Sequence, residues 1–461
     1  MSTTSRIVHL VDFYWTRDKD PRVPLGHASL LTALLKAGIK THSHAFAVNA
    51  MCEEGDDHTL RDFIERVMED VSSHSAAAVD VAIGVYIWGE QRVQQCIKLL
   101  RARGFKGRII LGGPQISYST GSLDGLYPGA DVFVKGYGEQ ALVELARSPG
   151  HVELDGVYWA GQQPGSYTVQ AQVALEELDS PWLTGHIPLH GQRFIRWETQ
   201  RGCPFRCAFC QHREAGQRLP RRELEEERIL KEIKLFCASD VEEIAILDPI
   251  FNLPKDRAVK VLHAFVEHGY RGRLSLQCRA EAITEEFLDA ASLLDVCLEF
   301  GLQTIHEDEG RASQRKNNVE RVEQTLREVR RRGLQHEVSI IFGLPHQTLT
   351  KFEQTVQWCL DLRVSVIKAF PLMLLRGTEL DARRHQWGLI TRSDEDPTVI
   401  RSNTFDEEDW SRMALLSDAL KKTECNHPHH VQTLHAMTQH APDLTRWRPR
   451  DLDGEALKPT L

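Results

Sequence analysis

The sequence predicts an α/β chain in which a doubly wound parallel sheet is followed by a (β/α)6 partial barrel and a small helical region at the C-terminal end. Three observations predict it. Short β-rich runs alternate with amphipathic helical stretches through the first ~150 residues, and a second alternation of the same kind starts at Phe194. Between the two lies a stretch rich in Gly, Pro and Gln, which reads as a boundary. A length of 461 residues also exceeds one ordinary core, since domains close at about 100–200 residues.

Residues 6–13 form the first expected strand. Leu30, Leu31, Leu34 and Leu35 then recur at helical spacing, and Ala37-Gly38 ends that helix. Further strands are expected over 38–46, 79–86, 108–111 and 130–134, with a helix from about Glu90 to Arg103. Sheets of this kind bind ligands beyond the carboxyl ends of their strands, where Gly112-Gly113-Pro114 and Gly136-Tyr137-Gly138-Glu139 fall. Glycine there lets the backbone approach a ligand closely. Residues 1–155 are assigned to this domain and 156–190 to a linker that holds one short β-like piece, 156–159. The barrel takes 191–391, with strands at 194–199, 243–247, 273–277, 296–300, 337–342 and 366–371 and helical runs such as 224–236 and 318–332. Its site is expected at the carboxyl ends of those strands. Residues 392–461 read as a polar, helical region, and no internal repeat of fixed period is present.

Composition narrows the function. With 41% hydrophobic and 26% charged residues the chain has the profile of a globular protein, and no run approaches the ~18 uninterrupted apolar residues of a membrane span. The opening residues enter a strand-like run without the parts of a secretory signal, so a cytosolic setting and no membrane partner are expected. A net charge of −9 argues against nucleic acid as a partner, because phosphate-tracking surfaces need clustered Lys and Arg. The basic runs at 218–222 and 327–332 are mixed with or flanked by Glu and read as solvated helix faces. His427, His429, His430, His435 and His440 are spaced irregularly in a polar setting and read as a solvated tail rather than a metal site.

Most of the ten cysteines are scattered singly, as reduced thiols are. One group is not. Cys203, Cys207 and Cys210 lie within eight residues, directly after an expected strand, where a compact loop can aim three thiolates at one centre. Iron–sulfur clusters are held by Cys thiolates, and three ligands leave one iron of a [4Fe–4S] cluster open to the amino and carboxylate groups of S-adenosylmethionine. The competing zinc site normally asks for four Cys or His ligands in paired spacing, and His212 is the one nearby candidate to complete it.

The segment Arg201-Gly202-Cys203-Pro204-Phe205-Arg206-Cys207-Ala208-Phe209-Cys210 resembles the cluster motif of the radical S-adenosylmethionine (radical SAM) superfamily, in the branch with an N-terminal Rossmann-like domain of B12-binding type. The resemblance runs from about Arg6 to Leu380. It implies that Phe209 lies near the adenine and that Ile340 and Phe342, before Gly343-Leu344-Pro345, pack near the adenosine. Glu299-Phe300-Gly301-Leu302-Gln303 resembles the fourth-strand motif and Arg376-Gly377-Thr378 the segment after the sixth strand. The cofactor-binding set is thus expected to include Phe209, Gln277, Arg279, Glu299, Gln303, Ser339 and Phe342.

Several of these also stand out as polar residues at strand ends. Asp248 reads either as a catalytic contact or as the N-cap of the next helix. Glu299, a carboxylate within an apolar strand, needs a cationic partner, which the ammonium of S-adenosylmethionine supplies; Arg279 suits its carboxylate. A structural ion pair is the alternative for both. Cys278, near the expected mouth, is a second catalytic candidate.

The base-off cobalamin motif, Asp-x-His-x-x-Gly, is missing after the first strand, where Asp12-Phe13-Tyr14-Trp15-Thr16-Arg17 stands instead. Tyr14, Trp15, Tyr86, Trp88 and Tyr118 lie near the expected strand ends, where a corrin needs room. The first domain is therefore expected to be scaffold, with cobalamin not favoured. A domain of this type without a cobalt ligand resembles the diol dehydratases that remove the C3′ hydroxyl of an aminoglycoside such as paromamine in antibiotic biosynthesis. That resemblance implies an aminosugar substrate, an external flavodoxin- or ferredoxin-type electron donor and a partner NADPH-dependent reductase. A cobalamin-dependent radical SAM C-methyltransferase is the alternative.

Overall fold

The computed structural model describes residues 6–17, 19–21, 23–50, 58–74, 78–162, 169–212, 222–393 and 396–438. Most of the basic run at 218–222, His440 and the end of the expected helical tail lie outside them. The chain divides into two compact units, residues 1–196 with 223–241 and residues 197–222 with 242–461.

The first unit is built on strands β1 (Ile7–Tyr14), β2 (Thr41–Ala47), β3 (Val79–Gly84), β4 (Arg108–Gly112), β5 (Val132–Val134) and β6 (Val157–Trp159), in the order β2-β1-β3-β4-β5-β6. The pairings are parallel through β5, and β6 adds an antiparallel edge. Strands of a two-sided sheet are apolar on both faces, and β1 is buried along nearly its whole length. Helices α1 (Leu25–Lys36) and α6 (Gly138–Arg147) join one core with Val8, Leu10, Ala82 and Ile110; α2 (His58–Ser73) and α3 (Glu90–Ala102) join the other with Val11, Phe13 and Ile83. Short helices α4 (Pro114–Ser117) and α5 (Leu123–Leu126) follow β4. At the amino ends of the strands, buried Asp80 accepts paired hydrogen bonds from Arg6, at 2.7 and 2.8 Å, and from Arg108, at 2.6 and 2.9 Å.

Residues 157–159, expected within a linker, form the sixth strand of the first sheet. The turn into it needs glycine: Gly156 has φ +77°, and a Cβ there would stand 2.0 Å from the Ala171 nitrogen. Helix α7 (Glu226–Cys237) closes this unit, with Phe236 edge-on to Trp182 at 5.4 Å.

The second sheet runs β14-β13-β12-β11-β10-β7, all in chain order, from β7 (Phe194–Trp197), β10 (Glu243–Ile246), β11 (Arg273–Cys278), β12 (Asp295–Gln303), β13 (Gln335–Phe342) and β14 (Val366–Pro371). A two-residue ribbon, β8 (Gln200–Arg201) with β9 (Arg222–Glu223), brackets the cysteine segment. Helices α8 (Lys255–Glu267), α9 (Glu285–Ala291), α10 (Glu307–Ala312), α11 (Val319–Arg331) and α12 (Leu349–Asp361) connect the strands, as a partial barrel requires. After α13 (Glu379–Ala382), the region expected to be helical starts with a hairpin, β15 (Ile390–Thr391) and β16 (Val399–Arg401). Its helix α14 (Glu407–Lys422) then buries Trp410, Met413, Leu416 and Leu420 and lies on β14, where the Ser417 hydroxyl donates to the Ala369 carbonyl at 2.8 Å. Helix α15 (Val431–Thr438) packs on α14.

Candidate functional site

The cysteine loop is fixed at its centre. The Ala208 N–H donates to the Ser313 carbonyl at 2.7 Å, and the Ala208 carbonyl accepts from Leu380 N–H at 3.0 Å, so segments following β12 and β14 grip one residue from both sides. The Gln211 amide donates to the Arg376 carbonyl at 3.0 Å, adding a second tie to the segment after β14. Arg315 reaches the Cys207 sulfur at 3.8 Å and also donates to the Gly301 carbonyl. Arg279 covers the Phe205 ring at 4.3 Å while its guanidinium holds Glu281 through two 3.1 Å bonds and the Lys316 carbonyl at 2.6 Å.

Burial pushes the Cys203 thiol up and the Cys210 thiol up to about 11; the neighbouring sulfurs add to both shifts, and Arg315 opposes them. A metal centre binds such thiols as thiolates and displaces their protons. Among the described residues no three His, Cys, Asp or Glu side chains converge on a single-ion site. In a cubane each thiolate holds a different iron, so three cluster ligands stand farther apart than the ligands of one zinc ion.

Alternation along the strands sorts the other candidates. Ser275 and Gln277 on β11, Cys297, Glu299, Gly301 and Gln303 on β12, and Ser339 and Ile341 on β13 share the partly open face, and Leu276, Phe300 and Phe342 share the buried one. Glu299 accepts from the Ser275 hydroxyl and stands in register between Gln277 and Glu337. Lys368 pairs with Glu337 at 2.6 Å, so the cation beside these two carboxylates belongs to the chain itself. Burial pushes Glu337 up, and Lys368 offsets part of that. Ser339 lies in register between Gly301 and Lys368.

Gln303 sits at a β-bulge with φ +71°, and its buried Oε1 has no partner among the described residues. Bulges gather beside active sites because they re-aim one side chain. Asn317 holds this one through the Leu302 and Thr304 carbonyls at 2.6 and 2.9 Å. Phe209 is half-buried within the loop.

Three expectations need correction. Phe342 faces away from the polar side: it is fully buried against Phe352 of α12 and Trp410 of α14, at 5.6 and 5.8 Å, and is core. Cys278 lies on the same buried face as Leu274 and Leu276, and burial, with Glu299 adding, holds its thiol well above the ordinary range. It is packed on the buried face of the strand rather than turned to the mouth. Asp248 neither caps α8, whose N-cap is Pro254, nor presents a free oxygen. Fully buried, it accepts from Thr199 N–H at 2.7 Å, Gln200 N–H at 3.1 Å and the Thr199 hydroxyl, with Arg257 at 3.9 Å. Its carboxylate thereby holds the backbone that leads into the cysteine loop.

Arg315 and the Glu309–Gln347 pair escaped sequence reading. Gln347 accepts from Gly343 N–H at 2.7 Å and donates to Glu309, which accepts from the Thr304 hydroxyl, so the turns after β12 and β13 are locked together. Arg315 lies in the polar run 314–318, and nothing in that run's spacing points to Cys207.

In the first unit, the order β2-β1-β3 puts a topological switch point between β1 and β3, at the carboxyl ends where such sheets take ligands. Tyr86 and Trp88 stack there at 4.9 Å and 8°, and the Trp88 indole donates to the Phe13 carbonyl at 3.0 Å. Trp88 remains 48% exposed, and Tyr14, Trp15 and Tyr118 are half-buried. His27 is buried on a hydrogen bond with the Ser43 hydroxyl at 2.8 Å, and burial lowers it to about 4.

Residues 197–359 match the radical SAM superfamily. That segment is similar to a radical SAM domain. Such a domain implies a [4Fe–4S] cluster and S-adenosylmethionine, in agreement with the three-thiol loop. The chain is 28% identical over 346 residues, 68% of its length and 49% of the relative's, to the cobalamin-dependent radical SAM methyltransferase TokK of Streptomyces tokunonensis. It is 31% identical over 216 residues, 42% of its length and 32% of the relative's, to the 2-(S-pantetheinyl)-carbapenam-3-carboxylate methyltransferase of Streptantibioticus cattleyicolor. The chain thus spans about half the length, or less, of these relatives. Among solved structures, TsrM of Kitasatospora setae with cobalamin and a [4Fe–4S] cluster bound covers 89% of this chain and 82% of its own, at 18% identity and a TM-score of 0.65. OxsB with aqua-cobalamin and S-adenosylmethionine bound covers 95% of this chain and 71% of its own, at 15% identity and a TM-score of 0.69. At these identities the structural likeness concerns the fold.

These relatives overturn the diol dehydratase expectation: both curated relatives described above are methyltransferases. The aminosugar substrate and the reductase partner were implied by that resemblance alone. Solved structures of this fold carry cobalamin, the cofactor that the sequence reading does not favour. No helix among the described residues is long and apolar enough to cross a membrane.

Proposed function

We propose that the protein is a cobalamin-dependent radical SAM methyltransferase acting on a carbon of a small molecule. One observation carries the reading: the match to a cobalamin-dependent methyltransferase covers 68% of the chain, well beyond the radical SAM segment at 197–359.

The residues present fit the groups implied. Cys203, Cys207 and Cys210 would hold the cluster, in a loop pinned at Ala208 and backed by Arg315. Toward a corrinoid, the first sheet offers a switch point bordered by glycines, with a buried orphan oxygen on Asp12. Bound together, these groups supply radical generation and methyl transfer. The chain's own residues orient and exclude. Asp248 fixes Thr199 and Gln200, Arg315 keeps positive charge against Cys207, and Gln303 presents an unpaired carbonyl at the bulge. Glu299, Gln277 and Ser339 give the open face polar contacts for S-adenosylmethionine or substrate. An external one-electron donor of flavodoxin or ferredoxin type completes the system.

The test is anaerobic reconstitution with iron, sulfide and cobalamin, followed by incubation with trideuteromethyl S-adenosylmethionine, a low-potential reductant and candidate small molecules. A product carrying the deuterated methyl, with S-adenosylhomocysteine and 5′-deoxyadenosine released, is expected. Protein that takes up no cobalamin, or a product that has lost water, refutes the proposal.

A further inference from the structure

We propose that Asp12 is the hydrogen-bond acceptor for a carboxamide of the bound corrinoid, at the switch point of the first sheet; the inference rests on the cobalamin reading and names a contact within it. Asp12 lies two residues before the end of β1 and is only 3% exposed. Its Oδ1 is sealed from solvent and has no hydrogen-bond partner among the described residues. A buried polar atom without a partner is costly, and natural folds keep few of them. Such a cost is relieved when the missing partner arrives with a ligand.

The surroundings have the shape of a shelf. Asp12 stands in register with Gly84 of β3, and Gly84 with Gly112 of β4, so beside the carboxyl two strands in succession carry no side chain. All three share the sheet face of Leu10, Ala82 and Ile110. A Cβ at position 84 would come within 3.3 Å of the Tyr86 ring and 3.9 Å of Asp12 Oδ1, so a side chain there would crowd the ground over the carboxyl. This shelf lies at the carboxyl end of the strands, where doubly wound sheets take ligands. Its wall is the Tyr86 ring, stacked on Trp88. The glycine shelf offers no side-chain acceptor for the further protons of an ammonium, which suits the site to a neutral donor. The carboxamides that fringe a corrinoid are neutral N–H donors of that class. Burial also lifts Asp12 to about 7, which fits a group awaiting a partner.

The full chain and its Asp12→Leu and Asp12→Asn variants, prepared without cobalamin, are titrated with hydroxocobalamin by absorbance, and the ligand-free proteins are melted. Asp12→Leu is expected to melt no lower than the unaltered protein and to bind cobalamin roughly tenfold or more weakly. Asp12→Asn, which keeps an acceptor oxygen, is expected to hold most of the affinity. Equal affinity of the Leu variant overturns the assignment and leaves the methyltransferase reading standing. Failure of the unaltered chain to bind cobalamin overturns both. Should the Leu variant not fold, Asp12→Ala, which removes the acceptor without adding bulk, decides: unchanged affinity makes Asp12 structural and overturns the inference.

Discussion

Asp248→Asn separates a catalytic carboxylate from one that holds the backbone. The side chain is fully buried and accepts from two backbone N–H groups, at 2.7 and 3.1 Å, and from the Thr199 hydroxyl. An amide keeps one acceptor oxygen but removes the charge, and its NH2 group faces donors. Hydrogen bonds to a buried charged group contribute about 1.5–3 kcal/mol each, so weakening two or three costs on the order of 3–5 kcal/mol. For a unit of this size that is a fall in melting temperature of about 10 °C. The measurement is run at pH 8, because burial pushes Asp248 up to about 6 and the carboxylate must be ionised for the comparison. Calorimetry of the ligand-free protein should show the fall in the second unit. Iron per chain after reconstitution should drop with it, since Thr199 and Gln200 lead into the cysteine loop. A variant that melts like the unaltered protein and loads full iron, yet releases no 5′-deoxyadenosine, would refute this and return Asp248 to the reaction.

Three further outcomes are expected. Cys207→Ala should load little iron after reconstitution and lose the cluster's visible absorbance, while the far-ultraviolet circular dichroism stays unchanged. Asp80→Asn leaves the buried Arg6 and Arg108 without their shared carboxylate and should destabilise the first unit by about 3–5 kcal/mol, read by urea unfolding. Asp12, at about 7 in the folded chain against an ordinary 3.8, favours the folded state below about pH 4, and that contribution is lost as pH rises through 7. Buried His9 and His27, lowered to about 4, and His44, lowered to about 3, lose stability in the opposite direction as pH falls below 6.5. The difference between the unaltered chain and Asp12→Asn isolates Asp12, and should shift by about 2–3 kcal/mol between pH 5 and 8. A flat difference would show that Asp12 does not hold its proton.

Much of the site was legible because its signals are local. Three cysteines on one short loop need only their own spacing to suggest a shared centre, and Gly112-Gly113 and Gly136 mark strand ends through their own backbone requirements. The errors came where partners are distant in sequence. Alternation separates Ser339 and Ile341 from Ile340 and Phe342, but both sets contain apolar residues, so the run does not say which set faces the helices. Trp410, nearly seventy positions later, decides it. The short β-like piece at 157–159 reads as linker because β5, its strand partner among the described residues, lies some twenty residues upstream. For the function, the missing cobalt-ligand motif and the bulky aromatics point away from cobalamin, whereas the curated relative over 68% of the chain is cobalamin-dependent. That Tyr86 and Trp88 stack beside Gly84 is a tertiary fact that a residue count does not show.

The amino-acid order by itself determined the two α/β layers and the three-thiol loop, because hydrophobic period and thiol spacing act within a few residues. Only the tertiary structure decided that Arg315 faces Cys207, that Asp248 is occupied with backbone N–H groups, and that Asp12 Oδ1 has no hydrogen-bond partner among the described residues. Those facts depend on which strands become neighbours and which atoms are sealed from water. Neither is set until the sheets close.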